Sequence, residues 1–300
     1  MKDKEKTWIG RGFFYLKVLA AMGLAAPLIF YVWRICLRPR RTNLKRELFP
    51  GVIYSRKVFS EPRPYVAHIV EIDLLSSGMK PLVTASDIQQ LHGSNSALTT
   101  SSFMREFNLD LAINGSFFYP FAENTPWDYY PRAGEPVKAL GANISNGQEY
   151  GKKGAQWNIL CFAADNSVQI AEQQCPPQTV QGIAGMDVVV KNGKSTISSQ
   201  TKAYPFKFYP RSLVGLDRAG TKLWLMVVDG KQPFYSEGVT LEELAQLAVD
   251  LGCDRALNLD GGGSSTLVVK QNGKIKVLNA PIHTRILMRE RPIANHLGFF

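Results

Sequence analysis

The sequence predicts an α+β fold: a mixed β-sheet core with one βαβ unit and packed helices, preceded by an N-terminal transmembrane helix. Three observations predict it. Short apolar runs alternate with turn residues from about Gly51 onward, the pattern of a mixed α and β domain. A strand–helix–strand order is legible between Lys222 and Leu259. Ahead of both, Phe13 to Trp33 is an apolar stretch of 21 residues interrupted only by Lys17.

That first stretch is long enough to cross a bilayer core, with Lys17 and Arg34 free to snorkel to its faces. Arg34, Arg38, Arg40 and Arg41 follow it, where a cleavage site would want small residues, so an uncleaved anchor is expected. Both flanks are basic, and the positive-inside rule does not orient it. The expected organisation is a basic anchor segment over residues 1–46 and a catalytic or binding domain over 47–300. Residues 1–46 hold 11 Lys and Arg against Asp3 and Glu5, whereas the remainder holds 24 against 23 acidic residues. The net charge of +10 therefore belongs to the segment, and the domain is close to neutral, which argues against nucleic acid as a partner.

Val66–Leu74 reads as a strand, Ala97–Phe107 as a helix and Leu109–Ile113 as a short strand. Residues 124–148, with Pro126, Pro131 and Pro136, read as a long loop. Asp187–Val190 runs into Lys191-Asn192-Gly193-Lys194, a hairpin turn. Leu223–Val228 (LWLMVV) is continuously apolar, as a strand covered on both faces would be. Thr240 and Glu243 form a capping box, followed by Leu241, Leu244, Ala245, Ala248 and Leu251 at helical spacing and by Gly252 as a stop. Ala256–Leu259 is the next strand, expected to lie parallel to Leu223–Val228 through a crossover. Cys161, Cys175 and Cys253 are an odd set; a Cys161–Cys175 bridge and three buried thiols are both open.

The chemistry gathers at strand ends. Leu223–Val228 ends in Asp229-Gly230, Ala256–Leu259 in Asp260-Gly261, and Leu109–Ile113 in Asn114-Gly115. Parallel strands would put both carboxylates at one carboxyl edge, where open sheets bind ligands. Gly261-Gly262-Gly263-Ser264-Ser265 follows Asp260. It lacks the Lys-Ser/Thr of a P-loop and leads into a strand instead of a helix, which excludes both nucleotide readings. It also lacks the last glycine of a hydrolase elbow. A close approach of bare backbone and two hydroxyls to an anion remains, with Arg211 as the charged fork. His68, His92, His283 and His296 show no metal-binding spacing and read as structural or surface residues.

AINGSFF (112–118), PRSLVG (210–215), VVDGKQPFYSEGVTLEELAQL (227–247) and NLDGGGSSTLVV (258–269) resemble the phosphodiester glycosidase domain family, with RPIANHLG (291–298) fitting more loosely. The resemblance implies hydrolysis between an anomeric carbon and a phosphate, on a glycan or glycolipid substrate outside the cytosol. It implies no cofactor, although two aspartates would also suit a divalent cation. Asp260 is then the base or nucleophile and Asp229 its partner. Arg211 and the amides of Gly261, Gly262 and Gly263 form an anion clamp, and Asn114, Gly115, Ser264 and Ser265 orient the substrate. A glycan-binding or polymer-assembly protein and a metal-assisted phosphodiesterase are the rival readings.

Overall fold

The computed structural model describes residues 23, 25–85, 94–152, 157–197 and 207–300. Met1–Arg38 forms one compact unit and Pro39–Phe300 a second. In the first, residues 25–36 are helical, with Leu28, Ile29 and Phe30 exposed. Among the described residues no helix is long and apolar enough to cross a membrane. The expected spanning helix is therefore not supported; residues 13–22 and 24 of its apolar stretch lie outside the described residues.

The second unit departs from the expected α+β class. Among the described residues strands account for 45% and helices for 13%, making the architecture mostly β. An eight-stranded sheet runs in the order Leu44–Phe49, Val52–Phe59, Tyr65–Asp73, Lys222–Val228, Arg211–Leu216, Arg255–Asn258, Val188–Lys191, Lys194–Ser195. A five-stranded sheet is centred on Leu111–Asn114, flanked by Leu267–Gln271 and His296–Phe299. Another five-stranded sheet is built around Thr179–Gly185 and Asn158–Ala163. Among the described residues every ladder between these strands is antiparallel.

The expected parallel pair illustrates why. Lys222–Val228 and Arg255–Asn258 do run the same way, but Arg211–Leu216 lies between them, antiparallel to both. The preceding strand fills the gap that a βαβ unit would have closed. Residues 124–148 are likewise more than a loop: Tyr129–Tyr130, Pro136–Ala139 and Asn143–Ser145 are short strands. The 97–107 helix shortens to Thr100–Glu106, capped by Thr99, whose hydroxyl accepts from the Ser102 amide at 3.2 Å.

Other expectations hold. Leu223, Leu225 and Val227 enter the large core beneath the eight-stranded sheet. Trp224, Met226 and Val228 enter a second core on its other face, under the helix Leu241–Asp250. Both faces are covered, so alternation disappears from the sequence. Each such side chain contributes about 1.5–3 kcal/mol of burial. The capping box forms: the Thr240 amide donates to Glu243 Oε2 at 2.8 Å, and the Glu243 amide to Thr240 Oγ1 at 3.1 Å. Cys161 and Cys175 are bridged, with Cα atoms 5.8 Å apart, while Cys253 is a buried thiol.

Candidate active site

The inserted strand brings the site together. Because it is antiparallel, it starts where its neighbours end: Arg211 pairs with Val228, and Leu213 with Asn258. Arg211 thus reaches the edge from which Asp229 and Asp260 emerge. Asn114, at the end of a strand in the other sheet, is fully buried. Its Nδ2 donates to the Asp260 carbonyl at 2.7 Å, and its Oδ1 accepts from Ser212 Oγ at 2.7 Å and the Thr266 amide at 3.2 Å. Ser265 Oγ lies 3.1 Å from Ser212 Oγ. Gly115 accepts from the Asp260 amide at 3.1 Å; a Cβ there would lie 2.5 Å from Asn295 Oδ1. Asn114, Gly115 and Ser265 therefore fasten the Asp260 loop and lie outside the cavity wall.

The triple glycine has a protein-internal cause. Gly262 has φ +67°, and a Cβ on it would meet the Tyr209 ring at 2.7 Å. A Cβ on Gly261 would lie 2.7 Å from the Pro210 carbonyl, and one on Gly263 would lie 2.7 Å from Arg291 Nη2. The Gly261 amide donates to Asp260 Oδ1 at 2.8 Å and the Gly262 amide to the Pro210 carbonyl at 2.9 Å. These two amides, expected to clamp an anion, are occupied within the protein. Bare backbone is needed here so that Tyr209, Pro210 and Arg291 can close around the loop.

A cavity of about 300 Å³ opens at this edge, walled by Asp260, Gly261, Arg211, Arg291, Asp187 and Asn258, with aromatic rings of Phe117 and Tyr209. Burial raises the Asp260 carboxyl above its ordinary pKa, against the opposing pull of Arg291, the Ser264 hydroxyl and the Gly261 amide. Burial also raises Asp187, opposed by Arg211 and an Asn258 hydrogen bond. Each wall aspartate thus answers to one guanidinium. Asn258 Oδ1 is buried with no hydrogen-bond partner among the described residues. Lys207 and Lys231 lie over the Tyr209 ring, 5.5 and 4.1 Å from its centre.

Arg291 is held on all three nitrogens. Nη2 meets Glu123 Oε2 at 2.5 Å, Nη1 donates to Ser264 Oγ at 3.2 Å, and Nε donates to His283 Nδ1 at 3.3 Å. Its guanidinium lies 4.4 Å from the Phe121 ring centre. Burial, with Arg291, Arg289 and Lys231 nearby, lowers the His283 pKa to about 3, so the imidazole stays neutral and accepts. Ser264 belongs to the site through this contact.

Asp229 is placed elsewhere. It is buried and absent from the cavity wall. Its Oδ1 accepts from Asn279 Nδ2 at 3.0 Å and the Ala280 amide at 2.8 Å, and its Oδ2 lies 3.0 Å from His68 Nε2. His68 Nδ1 pairs with Tyr54 Oη at 2.8 Å. Asn279 Nδ2 also reaches the Ser265 carbonyl at 3.0 Å, so Asp229 props the glycine loop from behind.

Sequence reasoning missed Arg291, Asp187, Asn258, Glu123, Tyr209 and His283. One signal was available: Arg291 precedes Pro292-Ile293-Ala294, and a charge at the head of an apolar stretch is buried only if something pairs with it. His296 is buried against Phe103, and His92 lies outside the described residues. Among the described residues no three His, Cys, Asp or Glu side chains converge as a metal cage.

A carboxyl held beside Arg291, with Asp187 and Arg211 in the same cavity wall, marks the candidate site. The phosphodiester glycosidase family model matches residues 107–300, and the chain belongs to that family. No curated protein matches it. Among solved structures, the catalytic domain of zebrafish N-acetylglucosamine-1-phosphodiester alpha-N-acetylglucosaminidase, auto-inhibited by its pro-peptide, is 20% identical. That match covers 89% of this chain and 92% of that one, with a TM-score of 0.57. A Burkholderia pseudomallei protein is 13% identical over 88% and 98%, with a TM-score of 0.60. A Synechocystis protein is 15% identical over 83% and 62%, with a TM-score of 0.50. At these identities the likeness is one of fold.

Proposed function

We propose that the chain hydrolyses a sugar-1-phosphodiester at the anomeric C–O bond, releasing free sugar and a phosphate monoester. The observation that carries this reading is the meeting of Asp260 with Arg211 and Arg291 in one cavity. The two guanidiniums hold the phosphate. Asp260 takes a proton from water as the water oxygen bonds to the anomeric carbon. The C–O bond breaks, and its electron pair leaves on the phosphate oxygen, where the guanidiniums stabilise the charge. A phosphate monoester departs readily, so a strong acid at that oxygen is not required. No cofactor enters the reaction as proposed. The name of the zebrafish relative makes N-acetylglucosamine the first sugar to try.

The compartment is proposed to lie outside the cytosol. The Cys161–Cys175 bridge supports this, since structural disulfides persist in oxidising environments.

Hydrolysis of an N-acetylglucosamine 1-phosphodiester in ¹⁸O-water tests the reading. The label should appear in the released sugar. Label in the phosphate would mean P–O cleavage, and saturable binding without turnover would mean a binding module.

A further inference from the structure

Arg291 is held from two short hairpins. Ala122–Glu123 pairs with Tyr129–Tyr130 and brings Glu123 to its Nη2; Ile282–His283 pairs with Ile286–Leu287 and brings His283 Nδ1 to its Nε. Arg289 fastens the two hairpins to each other. Its Nη1 donates to the Pro126 carbonyl at 2.9 Å and to Thr284 Oγ1 at 2.8 Å, and its Nη2 donates to Tyr129 Oη at 2.6 Å. The second hairpin is strained in this position. Its two turn residues, Thr284 and Arg285, have φ of +52° and +62°, a conformation suited to Asn-Gly and costly for β-branched threonine. Such strain persists only where the surroundings fix it. His283 carries a second cost: its Nε2 is buried with no hydrogen-bond partner among the described residues. An apolar ring would fill the same space without that cost, so the Nδ1 contact with Arg291 is what an imidazole adds here.

We propose that His283 is a positioning residue that sets the anion affinity of Arg291, accepting from its Nε without adding negative charge. The proposal rests on the reading of Arg291 as a phosphate holder. Glu123 already brings one carboxylate to this guanidinium, and Asp260 stands in the same cavity wall. A further carboxylate at Nε would orient Arg291 equally well but would oppose an incoming phosphate. A protonated imidazole has only donors, so it could not accept from Nε and would repel the guanidinium. The neutral ring aligns the fork and leaves its charge for the ligand. With its pKa lowered to about 3 by burial and the neighbouring cations, His283 stays neutral throughout the range in which a phosphate ligand is charged.

Calorimetric titration of the full chain with methyl phosphate reads this affinity without requiring turnover. His283→Leu should weaken binding by about tenfold, the equivalent of one hydrogen bond to a charged group. His283→Asn, whose Oδ1 also accepts without charge, should restore the affinity to within about threefold of wild type. His283→Asp has the same size as His283→Asn but carries charge, and should bind weaker than it by about tenfold. Equal affinity in the Asn and Asp variants would overturn the proposal, and that comparison stands even if His283→Leu fails to fold. Wild-type affinity in His283→Leu would overturn it too, as would a wild type that does not bind methyl phosphate. Hydrolysis of an N-acetylglucosamine 1-phosphodiester by the wild type separates this inference from the reading beneath it. No hydrolysis with the methyl phosphate series in the expected order means that the functional reading fails and the His283 assignment holds; hydrolysis with a flat series means the reverse.

Discussion

Asn114 donates from Nδ2 to the backbone carbonyl of Asp260 at 2.7 Å, a bond that ties the end of one sheet to the functional loop of another. The same side chain accepts from Ser212 and Thr266. Asn114→Ala strands three buried polar groups, and its unfolding free energy should fall by about 2–4 kcal/mol. Chemical denaturation measures this directly. Unchanged stability would show that the three bonds do not hold the loop.

Acidity at the site has a defined sign. Burial raises the Asp260 pKa, and Arg291 partly restores it. A base works ionised, so kcat/KM should rise with pH through a limb above the ordinary aspartate range. Arg291→Gln removes the restoring charge and should move that limb upward, with folding checked by circular dichroism. Stability runs the other way. Between the unfolded and the raised folded pKa the folded chain binds more protons, so stability is lost as pH rises across that window. Asp260→Asn escapes this loss, and its stability relative to wild type should grow across the same pH window. A limb at the ordinary value, unmoved in Arg291→Gln, would mean that Asp260 is not the titrating base.

Gly262→Ala separates shape from chemistry. The positive φ and the 2.7 Å approach of Tyr209 both oppose a methyl group, so the melting temperature should fall, by about 1 kcal/mol or more in stability. Substrate affinity of the folded fraction should stay near wild type, because the Gly262 amide already donates to Pro210. Lost affinity in a fully stable variant would place the ligand on the glycines after all.

The Cys161–Cys175 bridge closes a short loop beside the core formed by Ile144, Ile159 and Ala184. Cys161→Ser with Cys175→Ser should cost about 3 kcal/mol by the loop-entropy argument. Reductant should lower the wild-type melting temperature by a similar amount and leave the double variant unmoved.

Much of this site was legible because strand ends are marked locally. Asn114-Gly115, Asp229-Gly230 and Asp260-Gly261 do lie at the ends of strands, the first in one sheet and the other two in another, and the capping box, the doubly buried Leu223–Val228 and the hairpin at Asn192-Gly193 follow from adjacent residues. What the sequence could not show is pairing across distance. Arg211–Leu216 inserts between two strands that local order suggests are neighbours, and this converts a parallel unit into an antiparallel sheet. The same limit misassigned Asp229. Its position after a strand matches that of Asp260, but its partners, His68 and Asn279, lie 161 and 50 residues away along the chain. Arg291 and Asp187 enter the wall by such remote pairings too, and neither sits in a motif that announces it.

Turnover of one N-acetylglucosamine 1-phosphodiester by Asp260→Asn and Asp229→Asn, measured side by side with their melting temperatures, tests the central claim most directly. Asp260→Asn should fold and lose on the order of 10²-fold or more in kcat. Asp229→Asn disturbs the bonds to His68, Asn279 and Ala280, so it should lose chiefly stability, with kcat per folded molecule within about tenfold of wild type. Near-wild-type turnover in Asp260→Asn, or a larger loss of kcat in a fully stable Asp229→Asn, would contradict the assignment of the reaction to the Asp260 cavity.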